Sequence, residues 1–258
     1  MRISRHGLAL CLALALPGWA LLAQTPPDGK PQALPDKAEQ LFALANQARA
    51  AEGAGPLRWD PALAAAALKH CLRMATEGPI SHRYEGEADL TARAGQAGAH
   101  FSLIEENIAV GSHVATIHQG WLDSPGHRAN LLNPDVDSVG VAVVAGGGVI
   151  FAVADYGRAV QVLTQTQVEA AFGGMLRAKG LLIVKDGAAA RAYCANGTKD
   201  ISQPGYLVRW QNPDVTRLPQ ELLDQLATGR YRKAAVGSCP PQNVEGSFTI
   251  YRVGVLLY

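Results

Sequence analysis

Trp121-Leu-Asp-Ser-Pro-Gly-His-Arg-Ala-Asn-Leu-Leu132 decides how this chain is organised. Ser124-Pro-Gly126 breaks one helical run, Val114–Leu122, and opens another, Pro125–Leu132, with Pro125 suited to a first helical turn. Downstream, Val139–Val144 and Val149–Tyr156 are apolar, β-branched runs joined by Ala145-Gly-Gly-Gly148, a hairpin signal. Upstream, Ala38, Leu41, Leu44, Ala45 and Ala48 recur at helical spacing within Lys37–Ala51. Asp60 and Pro61 then start a second helix that runs to about Glu77, with Leu63, Ala67, His70, Cys71 and Met74 on one face. Residues 80–100 read as irregular, with a short helical segment near Leu90–Ala94, and Glu105–Ala109 leads into Gly111.

Beyond Gln161 the character changes. Val168–Lys179 and Pro219–Ala227 are helical in pattern. Leu181–Lys185, Arg191–Cys194, Tyr206–Trp210, Tyr231–Val236 and Phe248–Leu257 read as strands, giving a second, smaller α+β unit with an antiparallel sheet. The expected organisation is a leader over 1–23, a linker over 24–35, a first domain over 36–159 and a second over 160–258.

The leader expectation rests on Arg2 and Arg5, the apolar run Leu8–Leu16, and small residues before a cleavage site at Ala23. Its uncharged stretch is too short to span a bilayer comfortably, and no later stretch is long and apolar enough, so a secreted or periplasmic monomer is expected. Removing it leaves Cys71, Cys194 and Cys239. In an exported chain an odd count implies one disulfide and one spare thiol. Cys194 and Cys239, both near strand-like segments of the second unit, are paired; Cys71 is read as a small buried apolar residue.

Across 258 residues, 48% are hydrophobic, 17% are charged, and the net charge is +1. That excludes disorder and offers no basic excess for nucleic acid. The average hides a split: residues 24–159 carry 10 basic and 15 acidic side chains, and residues 160–258 carry 11 and 7. All six histidines that follow the leader lie between 70 and 127. His70 reads as a packed core residue and His100, His113 and His118 as incidental. His82 and His127 stand out because a carboxylate motif, Glu105-Glu-Asn-Ile-Ala109, lies between them. Two histidines and a carboxylate are a ligand set for zinc or another divalent ion with a position open to water, and equally an acid–base set.

These residues carry a family resemblance. From about Leu41 to Tyr156 the chain resembles the bacterial branch of the CAP, or SCP-like, superfamily, which includes cysteine-rich secretory proteins, antigen 5 and pathogenesis-related 1 proteins. The match runs through Asn46 and Arg49, Pro56-Leu-Arg-Trp-Asp60, Ser81-His82, Arg93, Glu106-Asn-Ile-Ala109, Trp121–Leu132 and Val139-Gly-Val-Ala142. It departs at Glu105, where the family has glycine, and at Ser124, where animal and plant members often have a second glutamate. The resemblance implies an α-β-α sandwich with a cleft lined by His82, Glu106 and His127, with Glu105 or Asp123 as substitutes for the missing acid. It also implies binding of a small ligand, lipid or cell-envelope component, with a divalent metal on His82, His127 and Glu106. Two alternatives stand beside this. One is a metal-assisted peptidase or esterase with Glu106 as the candidate base. The other is an adhesion protein working through residues 160–258. Asn46, Arg49, Arg93, Asn107 and Trp121 are expected to be framework.

Overall fold

The computed structural model describes residues 29–197, 204–244 and 247–258. The leader expected over 1–23 lies outside them. The elements run β1 (Gln32–Ala33), α1 (Pro35–Ala51), β2 (Arg58–Trp59), α2 (Pro61–Glu77), α3 (Leu90–Gln96), β3 (Phe101–Gly111), α4 (Val114–Asp123), α5 (Pro125–Leu132), β4 (Ser138–Gly146) and β5 (Val149–Ala159). These are followed by α6 (Gln165–Ala178), β6 (Leu182–Ile183), α7 (Ala188–Asn196), β7 (Tyr206–Asn212), α8 (Gln220–Ala227), β8 (Lys233–Cys239) and β9 (Tyr251–Leu257).

The first part is an α-β-α sandwich. Its sheet runs β1-β4-β5-β3, with β2 adding in parallel to β4. Side chains alternate across a strand, so β4 and β5 feed two cores. Val139, Val141, Ala154 and Tyr156 pack with Leu41, Trp121 and Leu131 under α1, α4 and α5. Ala142, Val144 and Val153 pack with Ala67, Cys71 and Met74 under α2. The Asp60 carboxylate caps α2 by accepting from the Ala62 and Leu63 amides at 2.8 and 3.1 Å. α2 lies so close to the sheet that a Cβ on Gly140 would sit 2.0 Å from the Ala64 nitrogen.

The framework residues behave as expected. The Arg49 side chain is buried and donates to four carbonyls, of Gly55, Leu131, Asn133 and Val136, tying α1 to the chain after α5. Asn46 exchanges two hydrogen bonds with the Leu57 backbone. Trp121 is buried and its indole N–H donates to the Ile108 carbonyl at 3.1 Å.

The second sheet runs β6-β8-β9-β7, antiparallel except for the short β6–β8 pair. α6 and α8 cover one face through Val168, Phe172, Leu176 and Leu222. α7 covers the other through Ala190, against Ala235 and Leu256. The disulfide Cys194–Cys239 links α7 to the end of β8 across a Cα separation of 5.8 Å, and Cys71 is free and buried. The two sheet systems meet where Phe101 stacks edge-on with Phe248, centroids 5.4 Å apart, and where the Thr249 amide donates to the Phe101 carbonyl at 2.8 Å.

Three sequence expectations fail. Residues 101–111, not recognised as a strand, form the long β3 that pairs with β5 along its length. Arg191–Cys194, read as a strand, lies inside helix α7, and the strand expected over Leu181–Lys185 shrinks to Leu182–Ile183. β3 escaped notice because Glu105-Glu-Asn107 interrupts its apolar pattern. α7 did so because four residues containing Tyr193 and Cys194 resemble a strand when separated from the alanines before them.

Candidate functional site

The site forms where β3, the α2–α3 connection and the start of α5 meet. β3 turns Glu106 toward the α2 face and buries it. The Glu106 Oε1 lies 2.8 Å from His82 Nδ1, and Oε2 accepts a short charge-assisted hydrogen bond from Arg93 Nη2. Arg93 also donates to the His82 carbonyl at 3.0 Å, so one guanidinium fixes both the histidine backbone and the carboxylate beside its ring. Asn107 donates to the His127 carbonyl at 2.9 Å, and Asn130 donates to the Asn107 side chain at 3.0 Å, holding the start of α5 against β3.

The two histidines differ in proton affinity. The hydrogen bond to Glu106 is the main cause raising the His82 pKa above its usual value. Burial first, and then the charge of His82, lower that of His127. Beside His127 a recess of 310 Å³ runs along Ile80, Ile108, Ile117 and Trp121. The cleft therefore pairs an exposed ring that holds its proton more tightly than usual with one, beside an apolar slot, that holds it less tightly.

Behind Glu106 lies a polar layer that sequence reasoning missed. His70 is fully buried, but not among apolar groups alone. Its Nδ1 lies 2.8 Å from Glu87 Oε1 and its Nε2 2.9 Å from the Ser81 carbonyl. A carbonyl can only accept, so Nε2 carries a proton. Glu87 also accepts from the Tyr84 amide at 3.0 Å; these hydrogen bonds outweigh burial, the largest influence, and hold its carboxyl below the usual range. Asp155 stands directly across from Glu106 in the β3–β5 register, fully buried, with neither side-chain oxygen hydrogen-bonded among the described residues. Burial, then the Glu106 charge, pushes its carboxyl well above the usual range. An acid in the otherwise apolar run Val149–Tyr156 was the available signal for Asp155; nothing local marked Glu87.

Other expected residues lie elsewhere. Glu105, a candidate cleft residue, belongs to the opposite face of β3, where its Oε1 accepts from Asn133 at 2.9 Å. The reason is the twofold alternation of a strand. Because β3 is extended, the departure from glycine brings no left-handed strain; among the described non-glycine residues only Asn243 has positive φ. Asp123 accepts from Gln119 on the surface of α4. Cys71 has a thiol pushed up to about 12 by burial, which removes it as a nucleophile.

The carboxylate expected among a metal's ligands already has hydrogen-bond partners. Both Glu106 oxygens are engaged, and among the described residues no group of three or more His, Cys, Asp or Glu side chains is arranged to hold an ion. Glu106 stands behind His82 as an orienting carboxylate.

A family model described as CAP, the cysteine-rich secretory protein family, matches residues 42–156. These residues are similar to that family. The chain is 34% identical over 108 residues to an uncharacterized membrane protein, YlbC, of Bacillus subtilis, a match covering 41% of this chain and 31% of that protein. It is 27% identical over 112 residues to an uncharacterized protein, YkwD, of the same organism, covering 43% and 44%. The match thus spans less than half the length of these relatives. Among solved structures, an extracellular protein containing a SCP domain from Bacillus anthracis shares 32% identity over 48% of this chain and 41% of that chain, with a TM-score of 0.45. An outer surface protein of Borrelia burgdorferi shares 21% identity over 50% of this chain and 98% of that one, with a TM-score of 0.46. The Cys194–Cys239 disulfide fits an oxidising compartment, in keeping with a secreted or periplasmic location.

Proposed function

We propose that the CAP domain is a binding module for a small ligand or envelope component. The polar end of the ligand meets His82 and His127, and its apolar part enters the recess along Ile108 and Trp121. The observation that carries this reading is the fixed His82–Glu106–Arg93 arrangement beside that recess. A divalent ion would draw on His82 Nε2 and His127, with Glu106 holding the His82 ring, and its remaining ligands would come from water or the bound molecule. A hydrolytic role for Glu106 is less well supported, because its side chain is only 3% exposed and both oxygens are bonded.

The test follows the ring resonances of His82 and His127 by NMR while octanoate and, separately, zinc chloride are added. Saturable shifts at both rings with octanoate, lost in His127→Ala, support the ligand reading. Zinc shifts at both rings support the ion. Octanoate shifts that miss both rings, or survive His127→Ala unchanged, overturn the cleft as the binding site.

A further inference from the structure

The second unit lays one short segment, Ser247-Phe-Thr249, against the helix that carries Arg93. That helix, α3, has seven residues. A helix so short has no stability of its own in water, so its place is set by what packs on it. Its buried positions are Arg93 and Ala94. Arg93 serves the cleft, through Glu106 and the His82 carbonyl. Ala94 belongs to a small apolar cluster with Leu63 of α2, Ala99 and Phe101 of β3, and Phe248 of the second unit packs against that cluster.

Ser247 crosses α3 at Gly95. A Cβ on Gly95 would lie 2.1 Å from the Ser247 Cβ and 2.2 Å from its Oγ. Glycine inside a helix is unfavourable in itself, and here its missing side chain is the room that the crossing needs. Phe248 stands edge-on to Phe101, and Thr249 fixes the far end of the segment. The Thr249 amide donates to the Phe101 carbonyl at 2.8 Å, and its hydroxyl lies 3.2 Å from His100 Nδ1. The segment thus runs from α3 to the start of β3 and closes the corner between them.

Arg93 depends on that corner. Its side chain is buried, and its Nη groups are taken up by Glu106 and by carbonyls. Its Nε is buried with no hydrogen-bond partner among the described residues. In a looser arrangement water would satisfy that N–H, so the side chain keeps its place only while α3 is held. We infer that the second unit braces the cleft through this segment, with Gly95, Ser247 and Phe248 as positioning residues for Arg93. The effect on a ligand rests on the proposed binding function; the placement of Arg93 does not.

The experiment follows solvent exchange of the Arg93 Nε–H by NMR in the full chain and, separately, the octanoate shifts at His82 and His127. Phe248→Ala is expected to speed the exchange at least tenfold and to weaken octanoate at least threefold. Phe248→Leu keeps apolar bulk and is expected to stay within twofold of wild type in both. Gly95→Ala puts a methyl where Ser247 lies and is expected to speed the exchange at least tenfold. Adding Ser247→Gly clears the room and is expected to restore it. Val208→Ala weakens the second sheet from within its own core, and is expected to leave the exchange unchanged, which separates bracing from general loss of stability. The inference is overturned if Phe248→Ala or Gly95→Ala exchanges as wild type does, if Ser247→Gly fails to restore it, or if Val208→Ala speeds it equally. It is also overturned if Phe248→Ala binds octanoate as tightly as wild type. A wild type that shows no octanoate shift overturns the ligand reading alone, since the exchange measurement needs no ligand.

Discussion

α2 and α7 are each laid directly on a strand glycine. A Cβ on Gly140 would meet the Ala64 nitrogen at 2.0 Å, and one on Gly237 would meet the Arg191 nitrogen at 2.1 Å. What the two helices cover differs. Beneath and beside α2 lie His70, Glu87, Arg93, Glu106 and Asp155, all buried. Under α7 lie Ala190, Ala235 and Leu256, with a covalent link from Cys194 to Cys239. The first helix covers charged groups whose hydrogen bonds set the direction of His82; the second covers a largely apolar layer, with Arg252 at its edge, secured by a disulfide. Close helix-on-sheet packing is thus common to both units, but the first gathers five buried ionisable groups near its helix, whereas the α7 face of β9 carries the buried Arg252. Within that layer His70 pairs with Glu87 and Arg93 with Glu106, and these pairs give the cleft its geometry, whereas neither Asp155 oxygen is hydrogen-bonded among the described residues.

The strongest way to break the contrast is Arg93→Ala, which leaves Glu106 buried without its cation. It should cost about 3–5 kcal/mol in urea unfolding, and a loss below about 1 kcal/mol would mean the charges are not tightly coupled. Next is Cys194→Ser combined with Cys239→Ser. The bridge closes a sequence separation of 45 residues, and its removal should cost about 2–4 kcal/mol. Hydrogen exchange should show that loss in β7–β9 while β3–β5 keep their protection; equal loss in both would join the two units into one cooperative structure. Gly140→Ala and Gly237→Ala should each cost about 1–3 kcal/mol through overpacking, and thermal melts showing one tolerated and the other not would end the parallel between the helices.

The smallest effect concerns pH. The folded pKa of His82 is raised by its hydrogen bond to Glu106, so its contribution is fully present below the unfolded value of about 6.5 and fades as pH rises through the folded value. Its side chain is 59% exposed, so screening limits the effect to no more than about 1 kcal/mol. His82→Gln should therefore be less stable than wild type at pH 5.5 and indistinguishable from it at pH 9. A difference that grows with pH would reverse the assignment of charge.

Much of the architecture was legible because it is local. Asp60-Pro61 announces α2, Pro125 announces α5, and Ala145-Gly-Gly-Gly148 announces the β4–β5 turn. β3 was not legible, because its buried glutamate and asparagine look unsuited to a strand until Arg93 and Asn130 arrive from elsewhere in the chain. Glu105 was misplaced for the same reason: without the strand, nothing says that neighbours face opposite ways.

Spacing of apolar residues, caps and turn residues fixes the helices and hairpin, and the cysteines of the second unit suffice to pair Cys194 with Cys239. Those signals act over a few residues, or in the disulfide by elimination. The partners of His70 and the position of Asp155 behind Glu106 arise only when segments tens of residues apart are packed together. Hydrogen bonding and desolvation depend on distances between such segments, and only the tertiary structure sets those distances.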